Sequence, residues 1–352
     1  MTPLRFAGSP LSVLDLAVVA EGSDTGRALG ESIALAGAAE RLGYGRFWVA
    51  EHHSMPGIAS SATTVLMGAI AGATSSIRVG SGGIMLPNHA PLVVAEQFGT
   101  LEALHPGRID LGIGRAPGTD QITALALRRR TEALAADDFP QQFAELMAFF
   151  NGGFPDTHPF RRITAVPGYG DQPEIWLLGS SGFSAQMAGM LGLPFSFAHH
   201  FSAANTVPAL ELYRSQFRPS AVLDAPRAMV AVSVVCAESD DEAQWLAGSS
   251  RLAFVRLRSG RPGRLPTPQE AAAHHYGPQE QAILDARTTG TVVGAPATVR
   301  AGLETLLADT AADELMVTAM IHGYAERVRS YELVASLAGP ADDTAREGAA
   351  RA

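Results

Sequence analysis

Glu51-His52-His53 sets a carboxylate and two imidazoles at the end of an apolar run, Phe47-Trp48-Val49-Ala50. A histidine has an ordinary pKa near neutrality, so such a residue can serve as a general base or as a hydrogen-bond donor at a reacting centre. Successive side chains of a strand point to opposite faces, so at most one of the two histidines faces a shared site at close range. A satisfied structural histidine is the other use of such a residue. Ser81-Gly82-Gly83 carries a backbone signal instead: paired glycines inside a strand run mark a bulge or the close approach of a ligand, such as a flat ring system. Gly179-Ser180-Ser181-Gly182-Phe183-Ser184 passes from a strand pattern into a helix pattern. Exposed N–H groups and the dipole at a helix start favour an anion, and Arg115 can add fixed positive charge to the same phosphate. The bland use of these serines is a simple helix cap. His199-His200 and His322-Gly323 stand at two further strand ends.

These residues are spaced by a regular alternation of periods. Nearly continuous apolar runs at Leu11–Ala20, Arg46–Ala50, Ile77–Met85, Ile109–Gly114, Ile175–Gly179, Phe195–Ala198, Met229–Ala237 and Leu315–Ile321 read as parallel strands covered on both faces. Helical stripes lie between them at Gly30–Leu42, Ser60–Thr74, Pro91–Leu104, Pro140–Phe150, Ser184–Leu191, Asn205–Phe217, Asp240–Arg258, Pro296–Leu307 and Tyr324–Leu337. Eight βα units predict a closed (β/α)8 TIM barrel, with a doubly wound open sheet as the alternative. The barrel is expected to form one domain over residues 1–338. Insertions at about 116–172, after the fourth strand, and about 259–295, after the seventh, are candidate lids. A disordered tail is expected over 339–352. Chemistry in such a barrel collects at the C-terminal ends of the strands, which is where the residues named above stand.

The 352 residues are 47% hydrophobic and 17% charged, and 26 Lys plus Arg against 35 Asp plus Glu leave a net charge of −9. That balance argues against a nucleic-acid or anionic-membrane partner. The single cysteine, Cys236, excludes an internal disulfide or a cysteine-based cluster. No run approaches 18 apolar residues, and Asp15 interrupts the one stretch that could pass for a signal segment, so a cytoplasmic globular protein is expected. Gly112-Ile113-Gly114-Arg115-Ala116-Pro117-Gly118 lacks the dinucleotide spacing and sets Pro117 where its helix would begin. No phosphate loop, nucleophile elbow or H-E-x-x-H is present, and no metal site is expected.

Phe47-Trp48-Val49-Ala50-Glu51-His52-His53, Ile77-Arg78-Val79-Gly80-Ser81-Gly82-Gly83-Ile84-Met85-Leu86-Pro87, Ala95-Glu96-Gln97 and Pro106-Gly107-Arg108-Ile109 together resemble the bacterial luciferase-like flavin-dependent monooxygenases. Trp176-Leu177-Leu178-Gly179-Ser180-Ser181, Phe197-Ala198-His199-His200-Phe201 and Arg329-Ser330-Tyr331-Glu332 are similar to one subgroup of that superfamily. The resemblance runs from about residue 11 to 337. It implies a (β/α)8 barrel that takes reduced FMN from a separate flavin reductase and uses it with O2 to oxygenate a small organic substrate. A minority of relatives use a deazaflavin for hydride transfer. The resemblance further implies His52 as catalytic base and Ser81, Gly82 and Gly83 under the flavin ring, often with a non-proline cis peptide. Arg115, Ser180, Ser181 and Ser184 fall on phosphate positions, and Glu51, His199, His200 and Phe201 on the substrate wall. A homodimer through the helix at 60–74 is also implied. Luciferase has a cysteine where Gly114 stands and an acidic residue at Ser180, and its lid bears no similarity to 259–295, so its aldehyde substrate does not carry over. A non-catalytic flavin-binding subunit and a metal-dependent barrel hydrolase are the readings of other classes.

Overall fold

A computed structural model describes residues 3–129, 138–287 and 290–338. The expected tail, from 339 onward, lies outside the described residues. Ten strands occur in chain order: β1 (Arg5–Phe6), β2 (Ser9–Asp15), β3 (Arg46–Val49), β4 (Arg78–Met85), β5 (Ile109–Gly114), β6 (Glu174–Gly179), β7 (Phe195–Ala198), β8 (Ala228–Cys236), β9 (Thr291–Gly294) and β10 (Glu314–Thr318). Eight of them, β2 to β8 and β10, are parallel to their neighbours, and β2 pairs with both β10 and β3 to close a (β/α)8 barrel. The short β1 runs antiparallel to β2, and β9 pairs with the last four residues of β8 outside the ring. Among the described residues no helix is long and apolar enough to cross a membrane.

Register explains why the strands are apolar throughout. Val13, Phe47, Val79 and Ile109 lie side by side across β2 to β5 and pack outward against the helices, as do Leu177, Phe195, Val230 and Leu315 on the remaining strands. The alternate residues Leu14, Trp48, Trp176, Met229, Ala231 and Met316 point inward and fill the barrel. Each helix returns the chain to the next strand. The one at Asp240–Arg258 opens with Ser239 accepting from the Glu242 N–H, carries three acidic residues in its first turn and ends with Arg256 and Arg258, matching its dipole.

The N-terminal end of the barrel is plugged by charge. Arg46, 6% exposed, reaches Asp110 at 2.7 Å, Glu174 at 3.1 Å and Glu314 at 3.1 Å. Arg78 adds a second bond to Asp110, and Arg227 bridges Glu174 at 3.0 Å and Glu314 at 3.4 Å. Three cations thus meet three carboxylates. The Trp48 and Trp176 indoles donate to Asp110 and Glu174 at 2.8 and 2.9 Å, roofing the network from inside. Burial opposes ionisation of Asp110, but Arg46 and Arg78 outweigh it and hold the carboxyl below its ordinary range. With that end closed, the C-terminal mouth is the end of the barrel left to a ligand.

Two expectations are corrected. The run Leu11–Ala20 is a strand only to Asp15, because Ala17 turns to φ +49°; Val18 and Ala20 then make single bridges to Ile58 and Leu265. The stretch 259–295 is not a plain loop: it contains helices at Pro268–Ala273 and Pro278–Arg287 and the strand β9. The insertion after the fourth barrel strand likewise carries a helix at Gln121–Arg128 ahead of the one at Phe139–Asn151.

Candidate active site

His52 follows β3 by three residues and is fixed from both sides. Its backbone N–H donates to Ser60 O at 3.3 Å, and its ring Nδ1 lies 3.2 Å from the carbonyl oxygen of Gly118. A carbonyl can only accept, so Nδ1 carries the hydrogen and the neutral ring keeps a lone pair on Nε2. Burial lowers the His52 pKa, outweighing the raising effects of Gly118 and Glu51, so the ring is neutral at pH 7. Gly118 can hold its carbonyl there because it has φ +66°, and a Cβ on it would stand 2.9 Å from Glu51 O. The segment carrying Gly118 is tied down by Thr119 Oγ1 donating to His53 O at 2.8 Å and Asn88 Nδ2 donating to Pro117 O at 2.9 Å.

Glu51 is a different kind of residue from its neighbour. It is 1% exposed, and its carboxylate takes His53 Nε2 and His89 Nε2, both at 2.9 Å, and the Met85 N–H at 3.1 Å. Burial pushes its pKa up, but these hydrogen bonds outweigh it and keep the group ionised. It ties the ends of β3 and β4 together and is absent from the lining of the cleft that His52 borders.

The cleft that His52 borders has a volume of about 290 Å³, at the small end for a cofactor site. Trp48, Leu14, Leu178 and Met316 make an apolar floor, and Gly82 and Gly83 present bare backbone, with a cis peptide between them. The register against β5 shifts between Gly82 and Ile84. A Cβ on Gly82 would meet Leu14 Cδ1 at 2.6 Å, and one on Gly83 would meet Gly112 O at 2.6 Å, so a side chain at either position would disturb this floor. Arg115, Ser180, Ser181 and Ser184 line the same cleft from the adjacent ends of β5 and β6. Ser181 is the N-cap of the helix Gly182–Leu191 yet makes no side-chain cap hydrogen bond, leaving the first-turn N–H groups available to an anion. The Arg115 guanidinium sits 4.0 Å from the centre of the Phe183 ring in that first turn, which fixes the cation beside the helix start. A flat apolar slot with a cation, hydroxyls and a helix N-terminus at one end fits a planar ring system bearing a phosphate.

His52, Gly82, Gly83, Arg115, Ser180, Ser181, Ser184, His200 and Phe201 therefore surround one cleft. Ser81 does not join them: it is buried and donates to Gly112 O at 2.9 Å. His199 is also absent from the lining, and its Nδ1 pairs with Thr206 Oγ1 at 2.8 Å, so only His200 of that pair borders the cleft. Among the described residues no three His, Cys, Asp or Glu side chains are grouped to hold a metal ion. A second cavity adjoins the first through Leu16, His52, His200 and Phe201. Its lining includes Ser233 and Thr318, which the sequence reading did not single out.

Comparison with known proteins follows the same lines. A family model described as luciferase-like monooxygenase matches residues 10–314. The chain is 52% identical over 327 residues to the uncharacterized protein YvbT of Bacillus subtilis strain 168, covering 93% of this chain and 96% of that one. It is 49% identical over 322 residues to a luciferase-like monooxygenase of Escherichia coli strain K12, covering 92% and 95%. The solved structure of apo-MsnO8 superposes with a TM-score of 0.85 at 40% identity, over 94% of this chain and 97% of that one. The family match takes in β3 to β9 and the cleft residues from Leu14 to Ala231, and the chain belongs to the luciferase-like monooxygenase family.

Proposed function

We propose that the chain is an FMN-dependent monooxygenase of the two-component kind, supplied with reduced FMN by a separate flavin reductase and oxygenating a small organic substrate with O2. The observation that carries this reading is the cleft itself: bare Gly82–Gly83 backbone on an apolar floor, an anion end at Arg115 and the uncapped helix, and a neutral imidazole at its edge. Reduced flavin, when bound, supplies the two electrons that let one oxygen atom of O2 enter the substrate and the other leave as water. The chain's own residues do the rest. Arg115, Ser180, Ser181 and Ser184 hold the phosphate, and His52 Nε2 accepts a proton beside the ring. His200 and Phe201 border both that cleft and the second cavity.

The test is anaerobic titration with reduced FMN, followed by admission of oxygen. Saturable binding and oxygen uptake that depends on the protein are expected; failure to bind reduced FMN sinks the reading. Binding with no oxygen chemistry would instead mark a flavin-binding subunit. Arg115→Met is expected to weaken FMN binding by roughly 10- to 100-fold, the worth of a charge-assisted hydrogen bond, and the same titration measures it. The pH profile is a further check. Because the His52 pKa is lowered from 6.5, kcat/KM should stay level at neutral pH and fall with acid only below pH 6.5. An acid limb above that value would contradict the role given to this residue.

A further inference from the structure

The second cavity holds about 130 Å³ and is walled by Leu16, Met55, Ile58, Phe254, Leu265 and Met320. Among the described residues no Asp, Glu, Lys or Arg lines it. A carboxylate or ammonium entering it would lose its water with no counter-charge in the wall. An apolar cavity of about 150 Å³ takes one benzene molecule, so this space, open on the side of Phe201, Leu257 and Pro262, suits a body of about six carbon atoms.

Against this hydrocarbon wall stand three hydroxyls. Ser250 spends its own on Ala247 O at 3.1 Å, within its helix. Thr318 is 4% exposed, and its Oγ1 is buried without a hydrogen-bond partner. Ser233 is its register partner on the neighbouring strand, so the two side chains sit on the same face, about one strand spacing apart. Buried polar groups are almost always paired, and an orphan hydroxyl on a residue that lines a cavity can turn toward it and be paired by a ligand atom.

Resting on the flavin reading of the adjoining cleft, we infer that this cavity is the substrate compartment. It selects a small uncharged hydrocarbon body bearing one hydrogen-bond-accepting oxygen, which takes its bond from Thr318 Oγ1 with Ser233 alongside. His52 borders both cavities and so faces the substrate as well as the cofactor. Thr318 and Ser233 are then specificity-determining residues.

Cyclohexanone, cyclohexanecarboxylate and methylcyclohexane have matching bodies and differ only in the polar group, which makes them suitable probes. Their binding to the full chain at pH 7 is read by ligand-observed nuclear magnetic resonance. Cyclohexanone is expected to bind, with cyclohexanecarboxylate at least about 100-fold weaker. Thr318→Val should weaken cyclohexanone about tenfold while leaving methylcyclohexane unchanged, and Ser233→Ala should act in the same direction. Unchanged methylcyclohexane binding also shows that the cavity is intact in each variant. The inference is overturned if cyclohexanone fails to bind the parent chain, if it binds both variants as tightly as the parent, or if the carboxylate binds as well as the ketone. An FMN titration on the same samples separates the two readings. Ketone selectivity without FMN binding would defeat the flavin assignment alone, and FMN binding without ketone selectivity would defeat this inference alone.

Discussion

His52→Asn should lower kcat by about 10²- to 10⁴-fold, the usual worth of a positioned general base. Asparagine can still donate from its amide to the Gly118 carbonyl, which the His52 Nδ1 approaches at 3.2 Å, but it offers no basic nitrogen. The affinity for reduced FMN should therefore change little, since the phosphate end of the cleft is untouched, and the acid limb of the pH profile should disappear with the imidazole. Steady-state kinetics on the variant, beside a flavin titration, checks both parts. A kcat within threefold of the parent would remove His52 from the chemistry and leave it a wall residue of two cavities.

Arg46→Met is expected to produce the largest loss of stability, about 3–5 kcal/mol, because it leaves three carboxylates to two cations, Arg78 and Arg227, and so strands one buried charge. Asp110 and Glu314 are 0% and 2% exposed, and each takes a direct bond from this guanidinium. The melting temperature should fall by several degrees or more. Adding Asp110→Asn to Arg46→Met should restore part of the loss, because the stranded charge is then gone, and the double-mutant cycle measures the coupling. A single variant that melts with the parent would show that the network contributes nothing net. The sign of the pH dependence follows from the depressed Asp110 pKa: its contribution is complete above the ordinary value of 3.8 and drains away as pH falls toward the lower folded-state value.

The barrel was legible in the sequence because its eight strands are covered on both faces and so read as nearly continuous apolar runs. β9 escaped because Thr291–Gly294 is only four residues long and sits between prolines and short polar helices. Gly82–Gly83, Arg115 and the serines at 180–184 stood out because strand ends are where polar residues break an apolar pattern. Glu51 and Ser81 stood out for the same reason, yet the direction of each side chain depends on which carbonyl or imidazole lies across the sheet. Ser233 and Thr318 left a fainter trace. Counting by two from the inward-facing Met229, Ala231 and Met316 puts both hydroxyls inside the barrel, but only the pairing of β8 with β10 shows that they are neighbours. The ionic plug left a similar trace. Arg46, Glu174 and Glu314 are the first residues of their strands and Asp110 the second of its own, a row of charges where apolar side chains would be expected.

The shared border of the two cavities has a consequence for how such a chain diversifies. Among the described residues only Leu16, His52, His200 and Phe201 belong to both. Met55, Ile58, Ala253, Phe254, Leu257, Pro262, Gly263 and Leu265 touch the smaller cavity alone, and Gly82, Gly83, Arg115 and the serines of the β6 turn touch the larger alone. Substitutions in the first set can retune what is accepted while the second set is inherited intact. A library confined to Met55, Ile58 and residues 253–265 is thus the economical starting point for evolving new acceptance into this scaffold.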